Sequence, residues 1–240
     1  MADLRKTPSV QHAVALIRPT VEATLLEMEK LDAAKIPFSL NPSRKLFKPL
    51  MEGCTLDWAL RQIEAEKHLK NIAPNKDLTT AFFHYASSKK VSWFREPEPF
   101  MYPIGSGVMI PVRPSGFWVE DGRLQVLWAQ SWKGRTLDPL QKAIFNTILQ
   151  QTFFVGDFKD AGLEWVDLSE KHPRAGREVE ILDSASLGTV THAELNEALG
   201  ILLEAFEIHA QRKAARKAAD KGERKPKDRG PDLFDFPEPK

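Results

Sequence analysis

Apolar residues recur at helical spacing along the first third of the chain. They form two stripes separated by Pro19, one over residues 10–17 and one over residues 21–31. Proline lacks the amide donor of a helix interior and clashes with the preceding turn, so the helical pattern is interrupted there. The spacing predicts two short helices or one kinked helix over residues 9–35, followed by a proline-rich loop over residues 36–49.

Two later segments of the first half and one of the second half have the same helical spacing. Thr55 is placed to cap a helix that extends to about residue 71, and another helix is expected over residues 76–87. A further helix begins near Thr136 and holds Pro139 in its first turn, where proline is tolerated.

Residues 116–132 have the pattern of a β-hairpin. Asp121 and Gly122 supply the two positive-φ positions that a type I′ turn requires, and this turn places Glu120 opposite Arg123. One face of the hairpin then carries Phe117, Val119, Leu124, Val126 and Trp128. The opposite face carries Trp118, Glu120, Arg123, Gln125 and Leu127.

Interleaved prolines and aromatic residues over residues 93–114 indicate extended or edge-strand structure. Further strands are expected at residues 163–168 and 178–182. Helices in the first third and strands in the remainder predict an α+β fold, in which an antiparallel β-meander with two packed helices follows the helical part.

The end of the chain combines a helix with a basic tail. Thr191 and Glu194 stand three residues apart, as in a capping box, and helical propensity continues to about residue 221. The apolar stripe of this helix stops near His209, so we expect nothing for the later part to pack against. Residues 211–240 are therefore expected to form a basic helix extension, a disordered linker and a terminal linear motif.

The remainder of the chain is expected to form a single α+β domain. That domain covers residues 1–210, with a helical portion over about 9–90 and a sheet-containing portion over about 91–210.

The net charge of +1 hides an uneven distribution of charge. Lys and Arg (34) nearly balance Asp and Glu (33), but nine basic residues and only three acidic ones lie within residues 211–229. A cationic arm of this kind attracts the phosphate backbone of DNA or RNA. The residues expected to contact nucleic acid on the arm are Arg212, Lys213, Arg216 and Lys217.

The hairpin offers a second candidate nucleic-acid surface. Trp118 shares the polar face with Arg123, and we expect its indole ring to be exposed, where it could stack on a base. The alternative is that the tryptophans of the hairpin are half-buried parts of the core, as is common in a meander.

An acid-x-lysine triplet gives the sequence its weak catalytic candidates. Asp157 and Lys159, together with Glu164, have the residue types that a Mg²⁺-dependent nuclease uses to hold its metal and to neutralise the scissile phosphate. Alternation along the strand lets either Glu164 or Asp167 face such a site, but not both. The structural alternative is that these acids are solvated residues of a turn and a strand end.

Metal and cofactor signatures are absent from the sequence, and the cysteine content points to a reducing compartment. The six histidines and Cys54 are scattered without ligand spacing, and no complete phosphate-binding loop is present, so we expect no metal and no cofactor. One cysteine cannot form an internal disulfide, and the apolar runs are too short to span a bilayer. These features favour a cytoplasmic protein without a membrane partner.

The last residues of the chain carry a short linear motif. Asp232, Leu233 and Phe234 follow Gly230 and Pro231. This stretch resembles the peptide by which bacterial DNA polymerases and repair proteins dock on the replicative sliding clamp, although Gly230 stands where that peptide has glutamine. The resemblance implies that these three residues bind a groove on the clamp, and the structural alternative is that the tail folds back onto its own protein.

Three functional hypotheses remain open on the sequence. The first is a non-enzymatic accessory protein that acts near DNA, with a folded binding domain, a basic arm and a clamp-docking tail. The second is a metal-dependent nuclease, or another enzyme whose site is not readable from sequence. The third is a protein–protein interaction module that does not bind nucleic acid.

Overall fold

A computed structural model describes residues 7–34, 39–66, 72–132, 136–170 and 176–223, with side chains up to residue 218. The helices are α1 (Val10–Leu16), α2 (Val21–Ala33), α3 (Asn41–Arg44), α4 (Phe47–Met51), α5 (Leu56–Ala65), α6 (Ile72–Ala86), α7 (Pro139–Thr152), α8 (Ser184–Leu187) and α9 (His192–Glu223). The strands are β1 (Trp93–Arg95), β2 (Phe100–Gly105), β3 (Val108–Val112), β4 (Gly116–Glu120), β5 (Arg123–Gln130), β6 (Gly162–Asp167) and β7 (Glu180–Leu182). The predicted α+β class is confirmed.

The strands form a five-stranded mixed sheet, in the order β1-β4-β5-β6-β7, and a separate two-stranded ribbon of β2 and β3. Strands β5 and β6 run parallel, whereas the other neighbouring pairs of the large sheet are antiparallel. The predicted all-antiparallel meander is therefore wrong at this pair. Helix α7 lies between β5 and β6 in the chain, and a helical crossover brings the second strand back in the direction of the first.

The predicted hairpin is confirmed in its turn and in its register. Glu120 is paired with Arg123 and Val119 with Leu124, and the pairing continues along β4 and β5. Asp121 and Gly122 have φ values of 49° and 76°, as the type I′ turn requires. The local turn residues therefore fixed which residues of the two strands face each other.

Both faces of the large sheet are covered by hydrophobic cores. On one face, Val126 and Trp128 pack with residues of α1, α7 and α9. On the other face, Trp118 and Leu127 pack with residues of α4, α5 and α6. The face that the sequence pattern predicted to be polar is therefore covered by a second core, and Trp118 is buried in that core.

The helix boundaries follow local signals at several places. The interruption at Pro19 separates α1 from α2, and the side chain of Thr20 accepts a hydrogen bond from Ala23 N at the start of α2. Thr55 caps α5 as predicted, by accepting a hydrogen bond from Trp58 N. Helix α5 ends at residue 65 and not near residue 71.

The loop predicted over residues 36–49 is wrong in its described part, because α3 and most of α4 lie there. Pro42 occupies the start of α3 and Pro49 lies in the first turn of α4. A proline in the first turn removes no helical hydrogen bond, so proline content alone did not exclude a helix. Among the described residues, no helix is long and apolar enough to cross a membrane.

Candidate functional site

Polar side chains gather where the parallel strands β5 and β6 end. Gln130 and Asp167, the last residues of the two strands, are register partners. The ladder continues beyond them, since Leu168 N donates to Gln130 O at 2.7 Å and Glu170 N donates to Trp132 O at 3.0 Å. In open α/β sheets the crevice beyond the carboxyl ends of the strands is the usual place for a ligand.

A buried chain of hydrogen bonds leads to Gln130 from helix α1. The indole Nε1 of Trp128 donates to Gln11 Oε1 at 3.1 Å, and Gln11 Nε2 donates to Gln130 Oε1 at 3.2 Å. Gln11 lies on the buried side of α1, and Gln130 has no exposed surface. The three side chains therefore form one continuous polar line inside an apolar core.

Asp167 is a carboxylate with 1% of its surface exposed. Its Oδ1 accepts a hydrogen bond from Ser169 N at 2.8 Å. Its Oδ2, like Nε2 of Gln130, is buried and has no hydrogen-bond partner among the described residues. A buried polar atom without a partner costs about 1–3 kcal/mol, and native proteins contain few of them.

Two arginines approach the same strand ends from the α3–α6 side of the sheet. Arg44 donates from Nε and Nη2 to Ser131 Oγ, at 3.3 and 2.9 Å, and Arg177 Nη1 donates to Leu168 O. Partial desolvation of the guanidinium group lowers the pKa of Arg44, although the residue as a whole is exposed. Burial also lowers the pKa of Arg177, against the attraction of nearby acids that include Asp167. The strand ends therefore combine a buried carboxylate with two arginine side chains.

The weak catalytic candidates are not arranged as a metal site. Both oxygens of Glu164 are engaged, one with the Tyr85 hydroxyl at 2.9 Å and the other with Lys89 Nζ at 2.7 Å. Asp157 lies in an exposed 3-10 turn and Lys159 follows that turn. Within the described ranges, no group of three or more His, Cys, Asp or Glu residues is placed to hold a metal ion.

The expectation that Trp118 is exposed is wrong. Its side chain has no exposed surface because the helices α4 to α6 cover that face of the sheet. Its ring is therefore not available to stack on a base. Arg123 is exposed at the hairpin turn, and its Nε donates to Asp160 O at 3.3 Å.

The basic residues of α9 lie against the acidic side of α2. Arg212 Nη1 is 3.0 Å from Glu29 Oε1, Lys213 Nζ is 2.6 Å from Asp32 Oδ2, and Arg216 Nη2 is 3.8 Å from Glu29 Oε1. The expectation that nothing packs on this part of the helix is therefore wrong. Lys217, one turn after Lys213, is exposed.

The ion pairs with α9 also change the acidity of Asp32. Burial by itself would raise the pKa of Asp32, but the hydrogen bond and the charge of Lys213, together with His209, outweigh this effect and lower the pKa. Asp32 is consequently ionised at neutral pH and holds its basic partners.

The start of α9 has the predicted capping box. Thr191 N donates to Glu194 Oε2 at 2.8 Å, and Glu194 N donates to Thr191 Oγ1 at 3.3 Å. Asp232, Leu233 and Phe234 lie outside the described residues, so their role remains a prediction.

Sequence reasoning missed Gln11, Gln130, Arg44 and Arg177 as candidate site residues. They come from four distant segments, and no motif connects them. A local signal was the presence of one glutamine in each of two largely apolar stretches, at 11 and at 130. A scan against protein-family models, a search of curated proteins and a search of solved structures each found no match to this chain.

Proposed function

We propose that this chain is a non-enzymatic accessory protein that associates with nucleic acid through the basic face of α9. The observation that carries the proposal is the exposure of Arg212, Lys213, Arg216 and Lys217 on a helix that extends beyond its apolar stripe. Arg212 and Arg216 are one turn apart, and so are Lys213 and Lys217, so the four charges lie on one side of α9. A row of guanidinium and ammonium groups on one helix face suits a phosphate backbone.

The length of α9 supports this role. The last fully buried residue of its apolar stripe is Ala205, whereas the helix continues to residue 223. The final 18 residues of the helix correspond to about 27 Å at 1.5 Å per residue. Phe206 and Ile208, at the start of this extension, still pack against the core, whereas residues 211–218 are exposed, and their charge favours a binding role.

The contacts with α2 are compatible with displacement by phosphate. The side chains of Arg212 and Lys213 are each 51% exposed, and Glu29 and Asp32 are 33% and 42% exposed. Ion pairs with this degree of exposure contribute about 0–1 kcal/mol each. A polyanion can therefore replace Glu29 and Asp32 as the partner of the basic side chains without unfolding either helix.

The tail adds a second part to the proposal. By their resemblance to the clamp-docking peptide, Asp232, Leu233 and Phe234 would bind a groove on a partner that itself encircles DNA. The presence of a DNA-contacting helix and a docking peptide in one chain raises the local concentration of each interaction for the other. The nuclease alternative has lost support, since Glu164 is engaged with Tyr85 and Lys89.

The experiment that tests the proposal is a binding titration of short single- and double-stranded DNA over a series of salt concentrations. The test variant replaces Arg212, Lys213, Arg216 and Lys217 by alanine. The control variant replaces Lys45, Lys48, Arg61 and Lys90, four exposed basic residues elsewhere on the protein, by alanine. The control removes the same charge and also disrupts exposed ion pairs, those of Lys48 with Glu52 and of Arg61 with Asp57.

We expect the α9 variant to bind duplex DNA at least about tenfold more weakly at low salt, with a salt slope reduced by about 2–4. The control variant should lose no more than a few-fold. Replacing Glu29 and Asp32 by Gln and Asn should instead strengthen binding, because the basic face is then released. Equal losses in the two alanine variants, or no binding by the unaltered protein at low salt, would reject the proposal and favour a protein-interaction module.

A further inference from the structure

We infer that Gln130 and Asp167 together bind a hydroxyl group at the carboxyl ends of β5 and β6. The hydroxyl oxygen accepts a hydrogen bond from Gln130 Nε2, and the hydroxyl proton is donated to Asp167 Oδ2. The ligand is either a trapped water molecule or the hydroxyl of a small polar molecule. This inference is independent of the nucleic-acid contacts proposed for α9.

The position of the two side chains provides the first part of the argument. Gln130 and Asp167 are register partners on adjacent parallel strands, and their side chains share the face of the sheet on which Trp128 and Trp165 are buried. Neighbouring strands lie about 4.8 Å apart, so the two side chains are neighbours. They are 0% and 1% exposed, and therefore bulk water does not satisfy their unpartnered atoms.

The hydrogen-bond chain fixes which end of each amide faces which neighbour. The indole of Trp128 can only donate, so Gln11 must present its oxygen to it. The amino group of Gln11 then donates to Gln130, which must accept this hydrogen bond with its side-chain oxygen. The hydrogen-bond partners therefore fix the orientation of the Gln130 amide, and its amino group remains a donor.

Asp167 supplies an acceptor without a partner beside the amino group of Gln130. Its Oδ1 is occupied by Ser169 N, so Oδ2 remains for a donor. The pair thus presents one donor and one acceptor side by side. A group that accepts one hydrogen bond and donates another satisfies both atoms, as a hydroxyl does.

The same pair of atoms excludes other classes of ligand. A metal cation or an ammonium group would be attracted to Asp167 but would meet the N–H of Gln130, to which neither can offer an acceptor. A phosphate or carboxylate would accept from Gln130 but has no proton for Asp167 and is repelled by its charge. A neutral hydroxyl satisfies both atoms without adding an unpaired charge to the core.

The direct test is a crystal structure of the full chain at a resolution that shows ordered water. We expect electron density within hydrogen-bond distance of both Gln130 Nε2 and Asp167 Oδ2. A single spherical peak identifies the ligand as water, and elongated density identifies a hydroxyl-bearing molecule retained during purification. A direct hydrogen bond between the two side chains, or a gap without density between them, would overturn the inference.

A thermal-stability measurement tests the same contact in solution. Asp167→Asn keeps the acceptor for Ser169 but removes the acceptor for the hydroxyl proton, so we expect the Tm to fall by roughly 3 to 8 °C. Thr79→Val is the matched control, since Thr79 Oγ1 is another buried atom without a hydrogen-bond partner and belongs to α6, not to the ends of β5 and β6. Its Tm should stay unchanged or rise.

The charge of Arg177 has to be separated from this effect, because it also attracts Asp167. The Asp167→Asn change is therefore repeated in an Arg177→Gln background. A Tm loss that persists there supports the bridging hydroxyl. A loss that disappears there, or a rise in Tm for Asp167→Asn alone, contradicts it.

Discussion

Lys89 Nζ donates a hydrogen bond of 2.7 Å to Glu164 Oε1, and their side chains are only 13% and 17% exposed. The ammonium group of Lys89 also lies 5.1 Å from the ring centre of Tyr85, whose hydroxyl binds the other oxygen of Glu164. This triad ties the end of α6 to β6 across the face of the sheet. Glu164 is therefore a structural carboxylate that joins a helix to the central strands.

The first prediction concerns the loss of this carboxylate. Glu164→Ala leaves the ammonium group of Lys89 and the hydroxyl of Tyr85 without their shared partner, so we expect the free energy of unfolding to fall by about 2–4 kcal/mol. Glu164→Gln keeps one acceptor and should cost about half as much. Urea denaturation measures both. A change below about 0.5 kcal/mol for Glu164→Ala would show that the triad contributes little.

The second prediction is an alkaline pH dependence from Tyr85. Burial, and then the negative charge of Glu164, raise the pKa of Tyr85 above its ordinary value of 10.0. The unfolded chain ionises this tyrosine near pH 10, whereas the folded chain keeps it protonated. Stability is therefore fully present below pH 10 and decreases as the pH rises above that value.

Tyr85→Phe tests the alkaline effect, because it removes the ionising group and keeps the ring. The variant will be less stable at neutral pH, but its unfolding free energy should fall less steeply between about pH 10 and pH 11.5 than that of the unaltered protein. Chemical denaturation at each pH gives the two slopes. Parallel slopes would mean that Tyr85 does not contribute to the dependence.

The third prediction compares two glycines of the central sheet. A Cβ atom at Gly116 would lie 2.1 Å from the ring of Phe94, which is buried, whereas one at Gly162 would lie 1.9 Å from the side-chain oxygen of Gln125. The Phe94 ring is enclosed by the core and cannot move aside. The end of the Gln125 side chain is partly exposed and can rotate.

We therefore expect Gly116→Ala to lower the free energy of unfolding by about 2–3 kcal/mol and Gly162→Ala by at most about 1 kcal/mol. Thermal or urea denaturation of the two single variants makes the comparison. Equal losses would mean that Phe94 can shift as easily as Gln125, and so that the core beside β1 is loosely packed.

The sequence by itself determined the local elements of this protein. The turn residues Asp121 and Gly122 set the register of the β4–β5 hairpin, because only certain residues tolerate positive φ. Pro19 separated two helices, and Thr55 and Thr191 marked helix starts, since each acts on backbone groups within four residues. Interactions between residues so close in the sequence do not depend on the rest of the fold.

Only the tertiary structure decided what lies on each side of the sheet. The alternating pattern of the hairpin left Trp118 on its polar face, but α4 to α6 cover that face and bury the ring. The direction of β6 relative to β5 depended on the crossover through α7, which a strand's own residues do not encode.

The candidate site was also decided by tertiary structure. Gln11 and Gln130 are 119 residues apart in the chain but share a hydrogen bond, and Arg212 meets Glu29 across 183 residues. Pairing over such separations follows from the packing of whole elements and leaves no spacing that a sequence pattern can show. The sequence therefore specified the helices and strands, and their packing brought the polar groups of the site together.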